Sequence, residues 1–264
     1  MLVQLKKLDP KSIPDNAVCL FVGKRGTGKT TCLKDVLYHH RHVQAGVCMS
    51  ATEECNEFWK GCIPDTFIFN EYDPVVTRKL IKRQRKARQA GVNPKPVFFI
   101  AEDVLYDKRL SHDMNVRGIF MNGRHWNILF LITMQYVLDI PPGMRSNVDF
   151  IFAFREHVMA SKEKLWKSFF GIFPTYEMFD QVFNACTEGY DCLVLDNTRK
   201  TNKIEECVFW YKAEQHGDFK AGSKEYWAFH VMNYSPKSGV ESSDDEDGPE
   251  SSSRRRRHIV QKLK

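Results

Sequence analysis

Apolar residues fall in short unbroken runs, separated by longer stretches in which they recur at helical spacing. That alternation predicts an α/β chain: a central, mostly parallel sheet flanked by helices on both faces. Buried strands are expected at 17–22, 47–50, 67–69, 97–101, 127–133 and 150–154, with late strands at 192–195 and 207–211. Helices are expected at 29–40, 76–90, 158–170 and 176–186. No apolar run approaches the roughly 20 residues of a membrane-spanning helix. The N-terminus lacks the apolar stretch and small-residue cleavage site of a secretory leader, so a soluble, intracellular protein with no integral membrane segment is expected.

At 264 residues, 42% of them apolar and 12% aromatic, the chain can bury a sizeable core. The pattern ends near Tyr234. Beyond it lie an acidic Ser-Asp-Glu block and the four arginines Arg254 to Arg257. A segment so polar buries almost nothing, so one domain over 1–234 and a disordered acidic and basic tail over 235–264 are expected. The tail carries seven Lys and Arg against six acids, which leaves most of the net charge of +6 on the body. Eight cysteines form no C-x-x-C pair. Cys55 and Cys62, with His39, His40 and His42 upstream, match no common zinc spacing, and reduced or packed thiols are the simpler reading.

One segment carries specific chemistry. Gly23-Lys24-Arg25-Gly26-Thr27-Gly28-Lys29-Thr30 matches G-x-x-x-x-G-K-[ST], with an apolar strand entering and a helix leaving. Glycines let successive N–H groups curl round phosphates, and the helix N-terminus adds a favourable dipole. Lys29 is placed to reach the terminal phosphates and Thr30 to ligate Mg2+, with Thr31 completing the ATP-binding loop. Some seventy residues on, an apolar strand runs into Glu102-Asp103 at the edge where sheet ligands bind. One carboxylate is expected in the magnesium shell, here Glu102 with Thr30, and Asp103 beside it is expected to polarise the attacking water. Tyr106 and Asp107 lie either near this edge or on a solvated loop. The next strand ends at Gln135, a polar tip able to touch both water and γ-phosphate. Loop, paired acids and polar tip, in that order, favour a motor ATPase over a P-loop kinase for a small substrate.

Several segments resemble a known family. Met121-Asn122-Gly123-Arg124-His125-Trp126-Asn127, Thr133-Met134-Gln135-Tyr136, Ile140-Pro141-Pro142 and Arg145-Ser146-Asn147-Val148-Asp149 are similar to the genome-packaging ATPases of nucleocytoplasmic large DNA viruses, within the FtsK–HerA motors. So are Thr52-Glu53-Glu54-Cys55-Asn56, Thr187-Glu188-Gly189-Tyr190 and Val208-Phe209-Trp210-Tyr211-Lys212-Ala213. The resemblance spans about residues 17–213. It implies a RecA-like fold, a homo-oligomeric ring, and ATP-driven threading of double-stranded DNA into a capsid with capsid or portal-like partners. It also implies residence in the host cytoplasm (the viral factory), the nucleus or the virion. The family places Asp-Asp or Asp-Glu where this chain has Glu102-Asp103, so that Glu102 reaches one methylene farther at the magnesium position. A cellular-type translocase or helicase of the same superfamily is the alternative, although such helicases usually carry extra domains.

Ring ATPases complete each site with an arginine from a neighbour. Arg124, inside the most specific motif, is the first candidate, then Arg145, with Arg155 also near a strand edge. Separately, Arg78-Lys79-Leu80-Ile81-Lys82-Arg83-Gln84-Arg85-Lys86-Ala87-Arg88 contains no acid and leaves only Leu80, Ile81 and Gln84 to pack. Such a helix suits sequence-independent contact with DNA phosphates, the competing reading being a solvated face.

Overall fold

A computed structural model describes residues 4–104, 108–136 and 140–234. Tyr106, Asp107 and the tail from Ser235 lie outside the described residues, as do the side chains of Lys108 and Arg109. The strands are β1 (Lys6–Lys7), β2 (Val18–Val22), β3 (Ala45–Ser50), β4 (Ile68–Phe69), β5 (Val97–Glu102), β6 (Ile128–Met134), β7 (Phe150–Phe154), β8 (Asp191–Asp196) and β9 (Val208–Lys212). They form one sheet in the order β1-β9-β8-β7-β2-β6-β5-β3-β4. β2 pairs in parallel with β6 and β7, and β5 with β3 and β6. β8 alone runs against both its neighbours. All parallel strands therefore end on one edge, where side chains from different strands can meet.

The helices are α1 (Lys29–His39), α2 (Glu53–Asn56), α3 (Pro74–Gln89), α4 (Lys108–His112), α5 (Met114–Trp126), α6 (Pro142–Arg145), α7 (Met159–Ser168), α8 (Tyr176–Cys186), α9 (Ile204–Cys207) and α10 (Lys224–Asn233). Two apolar cores sandwich the sheet. Val18, Leu20 and Val22 of β2 face the core shared with α3, α5, α7 and α8. Cys19 and Phe21 face the one shared with α1 and α10. This is the two-residue period of a strand covered on both faces. No described helix is long and apolar enough to cross a membrane.

The predicted elements are present with ends shifted by a residue or two; α5, α10, the two-residue β1 and the short helices α2, α4, α6 and α9 lie outside the predicted set. The α5 pattern was available: Asp113 caps the helix by accepting from Asn115 N–H, and Val116, Ile119, Phe120 and Gly123 are buried at i, i+3, i+4 and i+7. α10 buries only Tyr226 among its residues, so no amphipathic stripe announces it. α3 packs through Thr77, Ile81 and Gln84. Gln84 donates to the carbonyls of Lys95 (2.9 Å) and Trp126 (2.8 Å), pinning the helix to the edge where β5 and β6 begin.

Candidate nucleotide site

The glycine-rich loop joins β2 to α1 at the edge where the parallel strands end. Gly26 (φ 78°) and Gly28 (φ 95°) occupy left-handed backbone, which a side chain would strain. Gly28 caps α1 with no side chain of its own, so the first N–H groups of the helix are left for a ligand. The loop is braced internally. Thr27 Oγ1 donates to the Lys24 carbonyl (2.8 Å), and Lys24 Nζ reaches Glu156 Oε1 (2.8 Å) just beyond β7. Lys29 is 5% exposed and its Nζ donates to the Lys24 carbonyl at 2.9 Å. Burial lowers its pKa, and the carboxylates of Asp103 and Glu102 oppose that shift. The head of Lys29 thus sits in the field of both acids. Arg25 is exposed, while Thr30 and Thr31 are half-buried at the start of α1.

Glu102 is the last residue of β5 and is 1% exposed. Burial raises its pKa; hydrogen bonds from Thr30, Trp59 and Ser50 work against that rise, and Asp103 adds to it. Trp59 Nε1–H donates to Oε2 at 2.6 Å and Ser50 Oγ at 3.0 Å. Trp59 is itself fully buried, and its backbone N–H donates to both oxygens of Glu53. Asp103 follows with φ 49°, a left-handed conformation that Asp tolerates better than most residues and that concentrates at functional sites. Its N–H donates to Thr133 Oγ1 (2.9 Å), and that hydroxyl lies 3.4 Å from Asp103 Oδ1. Thr30, Glu102 and Asp103 therefore supply hard oxygen donors beside a buried cation, a donor set that suits magnesium.

The structure adds three residues that no spacing in the chain announces: Trp59, Ser50 and Thr133. The sheet order brings Ser50, at the tip of β3, and Thr133, near the tip of β6, beside the acids, and Trp59 reaches Glu102 from the segment after α2. The polar group of β6 bonded to Asp103 is Thr133. Gln135 is exposed and lines a cavity of about 200 Å³ together with Gly23, Phe154 and Glu156.

The arginines divide. Arg124, near the end of α5, forms an ion pair with buried Asp149, which also accepts from Val18 N–H at 2.9 Å. Val18 begins β2, so this pair lies at the opposite edge of the sheet from the loop. Arg145 donates to Ser168 Oγ at 3.1 Å, ahead of β7. Neither approaches the loop of its own chain. Arg155, exposed, directly follows β7 on the loop's edge.

An uncharacterized protein of Acanthamoeba polyphaga mimivirus is 31% identical over 245 residues, covering 89% of this chain and 86% of its own. Another, of Invertebrate iridescent virus 3, is 37% identical over 220 residues, covering 81% and 84%. The chain belongs to this family of large DNA virus proteins. It is the group to which the motif resemblance pointed, although no family model matches. Among solved structures, the genome packaging NTPase of Sulfolobus turreted icosahedral virus 2 in complex with sulfate shares the fold at a TM-score of 0.55. The identity is 15%, with 76% of this chain and 98% of that one covered. The DNA-packaging ATPase of Sulfolobus turreted icosahedral virus aligns at a TM-score of 0.53 and 16% identity, covering 76% and 99%. The P-loop ATPase fold is thereby shown, with one antiparallel strand in an otherwise parallel sheet.

Proposed function

We propose that this viral protein is an ATP-hydrolysing motor that moves double-stranded DNA into the capsid as a homo-oligomeric ring. The observation that carries the reading is the meeting of Lys29, Thr30, Glu102 and Asp103 at one edge of the sheet. In this reading residues 23–31 hold ATP through backbone N–H groups, and Lys29 leaves the Lys24 carbonyl for the terminal phosphates. Thr30 and Glu102 hold Mg2+, which would neutralise charge on the phosphoryl oxygens. Asp103 orients and polarises the water, with Thr133 fixing its carboxylate and Gln135 reporting on phosphate from the neighbouring cavity. Arg124 or Arg145, each remote from its own loop, serves a neighbour's site in the ring. The exposed cations of α3 track DNA phosphates. Capsid or portal-like proteins are the docking partners, in the viral factory, the nucleus or the virion, and the domain ends near Tyr234.

Product analysis tests the core of this reading. The chain with Mg2+ should convert ATP to ADP and inorganic phosphate, and chelation should stop it. Transfer of the phosphate to an added nucleoside, or turnover indifferent to Mg2+, would refute the assignment.

A further inference from the structure

Beside the second and third turns of α1, away from the phosphate loop, three potential metal ligands converge. Asp35 and His39 stand at i and i+4 on one helix face, and His216 arrives from the segment that follows β9. Their ligand atoms all lie within 4.8 Å of one another. Asp35 Oδ1 is 3.3 Å from His39 Nε2 and 2.6 Å from His216 Nε2. The other carboxylate oxygen is already committed: Tyr211 donates its hydroxyl to Oδ2 at 2.5 Å and Glu214 its N–H at 3.0 Å. Those bonds aim Oδ1 at both imidazoles, the support that outer partners give to ligating carboxylates. The His216 ring is fixed by stacking on Tyr38, with centroids 3.6 Å apart.

We infer that Asp35, His39 and His216 form a binding site for a divalent transition ion of the zinc class, which clasps the P-loop helix to the segment after β9. Two imidazoles and one carboxylate make a three-ligand set typical of zinc, with a fourth position left for water. A cavity of about 180 Å³, bordered by Thr31, Lys34, Asp35 and His216, gives that water room. The 3.3 Å separation is the edge of a tetrahedron with bonds of about 2.0–2.1 Å; the 2.6 Å one must open by ~0.7 Å, a small side-chain rotation. At about 1.5 Å per residue, Asp35 and His39 stand roughly 8–14 Å along the helix from Thr30. The ion is therefore separate from nucleotide-bound magnesium, and the inference does not depend on the nucleotide reading.

The test is a zinc titration of the full, untagged chain, using a competing chromophoric chelator, with elemental analysis after dialysis. The expected result is one zinc per chain. His39→Gln and His216→Gln, each checked for folding by circular dichroism, should weaken zinc by at least ~10-fold. Cys55→Ser, on a thiol outside the cluster, should bind as the wild type does. Zinc should also raise the melting temperature of the wild type and not of the histidine variants. Failure of the wild type to bind zinc stoichiometrically would overturn the proposal and leave a hydrogen-bonded buttress in which both Nε2–H groups donate to Asp35. Equal affinity in the histidine variants, or loss only in Cys55→Ser, would overturn it as well.

Discussion

The two edges of one sheet treat charge in opposite ways. Where the parallel strands end, Lys29, Glu102 and Glu53 are buried, each held by hydrogen bonds from within the fold, and Lys29 lies in the field of Glu102 and Asp103. Where the strands begin, the C-terminal half of α3 presents Lys82, Arg83, Arg85, Lys86 and Arg88, all exposed and without an ion pair among the described residues. Buried charge must be compensated within the fold, or by a small ligand that replaces water. Exposed, unpaired charge of one sign keeps its hydration and acts on a large polyanion through counterion release. The difference teaches that one domain can carry two kinds of site, provided the sheet keeps them apart. β6, seven residues at about 3.3 Å each, sets that separation near 20 Å.

Removing the buried cation should have the largest effect. Lys29→Ala should abolish ATP binding or turnover, read by binding of a fluorescent analogue and by phosphate release, with an unchanged circular dichroism spectrum. Next comes Asp103→Asn, which should lower hydrolysis by about 10²–10⁴ while ATP and Mg2+ still bind, so that nucleotide remains trapped. If Glu102→Gln traps ATP and Asp103→Asn loses magnesium, the two roles are reversed. On the other edge, reversing Arg83, Arg85 and Lys86 should cut the log–log salt slope of DNA binding by about 2–3 units, at roughly 0.9 per phosphate contact. A constant slope would show that α3 is only a solvated face.

Glu102 yields a subtler, pH-dependent test. Its folded pKa is raised, so the protonated form is favoured, and the stability this confers fades as pH rises through the folded value. Without magnesium, Glu102→Gln should therefore melt at or above the wild type near neutrality and lose that advantage in acid. With magnesium the order should reverse, because only the ionised wild type binds the ion. Wild-type magnesium affinity should also fall, on acidification, at a higher pH than for an ordinary carboxylate. The smallest effect is expected for Trp59→Phe. Removing the indole N–H leaves Glu102 Oε2 short of one donor, costing about 1–3 kcal/mol and raising half-saturating magnesium several-fold.

The sheet and most of its helices were legible because buried strands and amphipathic faces write themselves as periods of two and 3.6. The loop and acid pair were legible because phosphate and magnesium demand fixed residue types at strand ends. Ser50 and Thr133 were not, since their partnership with the acids depends on β3 and β6 flanking β5, a fact of strand order and not of spacing, and Trp59 reaches Glu102 from the segment after α2 through tertiary packing alone. The run from Met121 to Gln135 reads as one motif, yet Arg124 and Thr133 serve opposite edges of the sheet. Contiguity in sequence concealed a strand's length in space.

ATP turnover measured against protein concentration, with and without double-stranded DNA, tests the coupling of the two edges most directly. The account predicts a rate per chain that rises with assembly and rises further with DNA, and a DNA increment that the α3 reversal removes. A rate indifferent to both DNA and concentration would contradict it.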